Sequence, residues 1–162
     1  MAGSWEYLKA NRLISGQEGT LYANIDGNQI SVGDCKNFSA KIELEKKEVR
    51  TLGHRGKQHK ITGWSGTGSM NLYVVSSVWS DIIMQYVKKG KAVYFTLTCT
   101  NEDPTTDENG AQTVVLMDVL IGGDEIAKLD VDAGFLEKSV DFTFSDVDMP
   151  ERFKYNEVSF SE

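Results

Sequence analysis

The chain has 162 residues, 40% hydrophobic and 25% charged, a globular composition that excludes a disordered or low-complexity protein. No apolar run reaches the ~18 residues of a membrane-spanning helix, and a domain of this size buries roughly 70% of its unfolded surface without disulfides or metal. The net charge of −7 conceals a polarity: residues 1–100 carry 13 Lys/Arg against 8 Asp/Glu, and residues 101–162 carry 4 against 16. Such asymmetry suits head-to-tail stacking, two surfaces with different partners, or a solvated acidic tail. Met1–Glu6 lacks the basic-then-apolar pattern of a secretory signal. Cys35 and Cys99 match no metal or redox spacing and are expected as free thiols.

Residues 1–19 read as a polar N-terminal arm. Thr20–Ile25 and Gln29–Val32 flank Asp26-Gly27-Asn28, a strong hairpin signal. From Cys35 to Val49, Phe38, Ala40, Ile42 and Leu44 alternate with Ser39, Lys41, Glu43 and Glu45, as in a half-buried strand. A basic loop, His54–Lys60, precedes a second alternating run through Met70, Leu72 and Val74, so residues 36–75 read as one very long β-hairpin. Ile42, Leu44, Met70 and Leu72 are expected on its protein-facing side, with Lys41, Glu43 and Glu45 opposite. One helix is expected within 76–90, with Trp79, Ile83 and Tyr86 packed on the core and Gly90 as its left-handed cap. Val93–Thr100 alternates, Asn101–Gly110 is an acidic loop, and Thr113–Ile121 reads as a central strand. Gly122-Gly123 is expected to turn into Glu125–Val131. Val140, Phe142 and Phe144 mark the last strand, and residues 146–162 read as a C-terminal arm anchored by Phe153 and Tyr155.

Catalytic patterns are missing. Gly63-Trp64-Ser65-Gly66-Thr67 lacks the final glycine of a nucleophile elbow and enters a strand rather than a helix. No Walker lysine follows the glycines. Asp130-Val131-Asp132-Ala133-Gly134 lacks the third oxygen ligand and the sixth-position glycine of a calcium loop. His54 and His59 have no flanking Asp, Glu or Cys. The basic loop is a weak nucleic-acid candidate, because the chain is acidic and Trp64 is the nearest aromatic. No catalytic residue, cofactor or metal site is expected.

Several stretches, in order and spacing, resemble one family: Ile14–Gly19, Gly63–Gly68 leading to Leu72-Tyr73, and Tyr86–Gly90 with Tyr94–Leu97. Ile126–Asp132, Phe142–Phe144 and Met149–Glu151 continue the series. The chain resembles the tail tube proteins of contractile-tailed phages, in particular those of PBSX-type defective prophages and phage-tail-like bacteriocins, over roughly residues 12–152. The resemblance implies a mainly β, single-domain barrel or sandwich with a long extended hairpin and one flanking helix, spanning residues 1–162. It implies a structural role, as hexameric rings stacked into a hollow tube that a contracting sheath drives through a target envelope. The implied partners are further copies, the sheath, and tape-measure, baseplate and tail-terminator proteins, with DNA in the lumen only of a genome-carrying particle. No membrane anchor is expected, and assembly is expected in the host cytoplasm. The alternatives are a tube protein of another contractile injection or secretion system, or a small β-barrel binding module. For subunit contacts, Arg55, Lys57, Lys60 and Trp64 are the candidates on the hairpin. Glu102, Asp103, Asp107 and Glu108 are the acidic candidates on the facing surface.

Overall fold

The computed structural model describes residues 19–102 and 110–154, together with Val158 and Phe160. Asp26 and Gly27, both at positive φ, turn β1 (Gly19–Ile25) back into β2 (Asn28–Ser31). That is the primed turn that Asp-Gly favours, because its twist matches the strands it joins. The long hairpin follows as β3 (Cys35–Val49) and β4 (Gln58–Tyr73), then α1 (Val78–Lys89). The chain continues through β5 (Phe95–Glu102), β6 (Ala111–Asp124), β7 (Glu137–Phe144) and β8 (Asp146–Glu151).

All the pairings are antiparallel. They form one eight-stranded sheet in the order β2-β1-β5-β6-β7-β4-β3, with β8 also paired to β6. The expected barrel or sandwich is therefore corrected to a single open sheet. Its two edges, β2 and β3, are joined through a tight turn in which the Cys35 N–H donates to the Val32 carbonyl at 3.3 Å. They share no ladder. A cleft of about 390 Å³, lined from β1, β2, β3 and β5, lies where closure would occur.

β6 bends the sheet. It pairs β8 through Thr113–Met117 and β7 through Leu120–Asp124, so β7 and β8 follow one another along the same side. Between the two stretches Asp118 sits at φ 53, and the register against β5 shifts between Phe95 and Leu97. A bulge of this kind sharpens twist and redirects a strand. Two sequence expectations fail here. Gly122-Gly123 is not a turn but a second irregularity within β6, and residues 146–151 of the expected C-terminal arm are strand.

The core is built where alternating faces meet. Val140, Phe142 and Phe144 of β7 are buried and their neighbours are not. On β4, Met70 lies opposite Val140 and Leu72 opposite Lys138, both buried, while Gly66 and Gly68 pair with Phe144 and Phe142. A β-carbon at Gly66 would strike the Phe144 ring, and one at Gly68 would strike both the Phe142 ring and the Ser39 carbonyl. These glycines leave room for two phenylalanine rings to lie across the strand, and Phe142 stacks on Phe38 with centroids 5.7 Å apart.

The helix caps this core. Trp79 and Ile82 are buried, and the Trp79 ring lies 5.7 Å from Phe95. The expectation for the other two side chains is corrected: Ile83 is half-buried and Tyr86 is exposed. Tyr86 lines a cleft of about 580 Å³ between α1 and β6 instead of packing on the sheet. Gly90 ends the helix at φ 68, its N–H donating to the Tyr86 carbonyl at 2.8 Å.

Gly68→Ala tests the glycine floor. Its methyl group has no free space and one obstructing atom is backbone, so the variant should lose about 1–3 kcal/mol. The urea midpoint should fall with an unchanged m-value.

Candidate assembly surface

The hairpin pairs from Cys35 opposite Leu72 to Val49 opposite Gln58, but β7 supports β4 only from Gly66 to Tyr73. Beyond Gly66 the hairpin is a two-stranded ribbon. Seven residues of β3, from Glu43 to Val49, carry it roughly 24 Å past the supported sheet. Near its middle a bulge inserts Thr62, whose hydroxyl donates to the Glu45 carbonyl at 3.4 Å. The extra residue shifts the alternation, so Ile61 joins Ile42, Leu44 and Trp64 on one face.

That face has no cover among the described residues. Ile42 and Leu44 share a side with buried Met70, as the alternation predicts, yet they remain 46% and 53% exposed. The expectation that they pack against protein therefore fails within a single chain. Trp64 ties the patch to the core rim, its ring 6.2 Å from Phe144.

Charge surrounds this apolar strip. Residues 46–60 hold six Lys/Arg and one acidic residue, Glu48. Glu48 receives Arg50 at 3.3 Å and Lys57 at 3.5 Å, and Lys41 meets Glu43 at 3.2 Å. The candidate contacts thus sit in three settings. Arg55 and Lys57 lie in the tip between the strands, with Lys57 already paired in its own chain. Lys60 is not in a loop but in β4, opposite Lys47, and Trp64 faces Leu44. Glu102 is exposed at the end of β5, opposite Ala111, while Asp103, Asp107 and Glu108 fall outside the described residues. No ion pair among the described residues joins Glu102 to the basic tip.

A second surface escaped the sequence reading. Residues 125–131 are expected to follow a turn at Gly122-Gly123 as the next β segment. They form no helix or strand. Leu129 and Val131 are 97% and 101% exposed, and Ile126 and Phe135 are exposed as well. The excursion is held at its neck. Asp124, the last residue of β6, and Lys138 of β7 meet at 3.3 Å with both side chains buried. The Ser80 hydroxyl of α1 donates to Asp124 Oδ2 at 2.8 Å, and Lys138 Nζ reaches the same oxygen at 3.3 Å. Asp124 Oδ1 has only the ion-pair contact, without an aligned hydrogen bond. Further along, Lys128 Nζ donates to the Glu137 carbonyl at 2.9 Å, and Phe135 meets Tyr73 edge-on at 6.4 Å. One buried ion pair therefore clasps a loop whose apolar side chains face outward.

The model of the phage tail tube protein family matches residues 6–151. The chain belongs to this family. It is 43% identical over 145 residues to the phage-like element PBSX protein XkdM of Bacillus subtilis (strain 168), covering 90% of this chain and 95% of that one. Its fold is also that of a chain in the tube-terminating cap of the anti-feeding prophage, with TM-score 0.66 and 9% identity over 92% of this chain and 98% of the other. A chain of the PVC sheath–tube complex, an extracellular contractile injection system, has TM-score 0.65 and 11% identity, covering 86% and 93%. The tail tube protein is structural and not an enzyme, so its functional residues are contact residues.

Cys35 and Cys99 are free and line the same cleft beside β1. Burial, then the charges of Asp34 and Cys99, push the Cys35 thiol up to about 11, and burial raises Cys99. Both stay protonated near neutrality. At pH 8 an aromatic disulfide reagent should label the folded protein at least about tenfold more slowly than the urea-unfolded chain. A second expectation concerns the clasp. Lys138→Met leaves Asp124 buried and unpaired, so it should lose about 3–5 kcal/mol in chemical denaturation.

Proposed function

We propose that this tail tube protein works as a stacked hexameric ring, forming the hollow conduit that a contracting sheath drives through a target envelope. One observation carries the reading: a 15-residue edge strand continues into a ribbon with an uncovered apolar face. A long free edge is an aggregation hazard unless a partner occupies it. In a ring, the β3 edge of one copy and the β2 edge of the next supply each other's missing neighbour. The barrel foreseen from the sequence is then completed between copies rather than within one. Contact between unlike surfaces closes a ring in one direction and propagates a filament in the other.

The partners that follow are further copies, the sheath, and tape-measure, baseplate and tail-terminator proteins. The particle is a phage tail or phage-tail-like particle assembled in the host cytoplasm. DNA would traverse the lumen only if that particle carries a genome. Similarity to a PBSX protein favours this origin over a secretion system.

Negative-stain microscopy of the purified protein tests the reading directly. Rings or tubes are the expected result, and persistent monomers at high concentration would refute it. Arg55→Glu with Lys57→Glu should shorten tubes at low salt, because rim charges set register and orientation more than affinity. Tubes of parental length would remove the tip from the stacking contact.

A further inference from the structure

The clasped loop and the hairpin tip carry complementary chemistry that their own chain does not bring together. From Glu125 to Glu137 the loop has four acidic residues and one lysine. Lys128 lies 3.8 Å from Glu125, and Glu137 pairs with Lys36 at 3.2 Å. Asp130 and Asp132 are exposed and have no ion pair among the described residues. They stand beside Leu129 and Val131, whose side chains are almost fully open to water. The tip is the converse, with an excess of Lys/Arg around Leu52, which is fully exposed.

We propose that the hairpin tip of one copy docks on the clasped loop 125–136 of another. Leu52 sits against Leu129 and Val131, while Arg55, and Arg50 on exchanging its exposed 3.3 Å pair with Glu48, meet Asp130 and Asp132. This rests on the tube reading and names the acceptor within it. Three features favour a second copy as the occupant. The two charge patterns are opposite in sign and both are centred on apolar side chains. The ribbon carries its tip roughly 24 Å beyond the supported sheet, within reach of a neighbour. The loop alternates like a strand yet, among the described residues, forms no strand ladder, its far end held by the Val74 N–H that donates to the Leu136 carbonyl at 2.9 Å, while the Lys138–Asp124 clasp holds its ends close together. Loops closed at the neck in this way are commonly functional. The assignment also differs from the sequence expectation, which placed the acceptor at 101–110.

The test uses the full-length protein and the concentration at which tubes first form. Asp130→Lys with Asp132→Lys should raise that concentration at least about tenfold, since a small loss per pair is repeated around each ring. Arg50→Glu with Arg55→Glu should do the same, and mixing the two variants should restore assembly. The substituted side chains are on the surface, so thermal melting should match the parent and exclude misfolding. Cross-linking gives an independent readout. In a background of Cys35→Ser and Cys99→Ser, an equimolar mixture of Leu52→Cys and Leu129→Cys chains should yield a disulfide dimer on oxidation. If the parent forms tubes while the loop variant assembles normally, the inference fails and the tube reading stands. The same holds if tubes form without the cross-link, or if charge reversal at Glu102 and Asp103 rescues the tip variant instead. A parent that forms neither rings nor tubes overturns both.

Discussion

β4 has two neighbours of unequal reach, and most of the architecture follows from that mismatch. β3 accompanies it for its whole length, whereas β7 stops opposite Gly66. Where both neighbours are present, the inward side chains Met70 and Leu72 are buried and the glycines make room for Phe142 and Phe144. Where only β3 remains, the same alternation continues with nothing among the described residues to cover it. A two-stranded ribbon cannot shield its own apolar face, and in isolation it is marginally stable. Its anchorage as an extended element therefore lies in the glycine–phenylalanine packing at its base, and the proposed assembly supplies a partner at its end.

The helix and the clasp solve a different problem. An open sheet must cover one face, and α1 does so with Trp79 and Ile82 set over β5 and the core. The Asp124–Lys138 pair then joins helix, β6 and β7 through Ser80. Burying such a pair gives little net stability, while removing one partner is expensive. Its value here lies in placement. It brings the ends of β6 and β7 together and fixes where residues 125–136 leave the sheet. A hydrophobic contact could glue these elements, but it would not prescribe the neck of the loop so narrowly.

Both uncovered surfaces therefore arise at places where the sheet runs out of partners. One is the ribbon beyond β7, and the other is the excursion between β6 and β7. Monomeric proteins rarely leave large contiguous apolar patches in water. In the proposed assembly the missing cover is another copy. The charge polarity of the sequence, basic in its first 100 residues and acidic afterwards, becomes spatial in the same way. The ribbon carries basic residues outward, and the clasped loop carries acidic ones.

Local chemistry determined much of this chain in advance. Asp26-Gly27 can take two positive φ values, so the first turn was legible. The period-two alternation of residues 35–49 and the apolar spacing of 78–89 with Gly90 behind it placed β3 and α1 at their observed bounds. Those signals are encoded within a few residues of where they act. What tertiary structure decided was pairing. Alternation at Ile42 and Leu44 specifies a shared face but not whether anything lies against it. Alternation at Leu129 and Val131 specifies strand propensity, yet a strand needs an edge to bond with, and among the described residues no strand pairs with them. Gly122-Gly123 looked like a turn because glycine permits one, while pairing with β7 kept it in β6. Closure into a barrel likewise depended on the meeting of β2 and β3, which share no ladder. Backbone hydrogen bonds between distant strands carry no local sequence signature, so the open edges, and with them the surfaces available to a partner, appeared only in the folded chain.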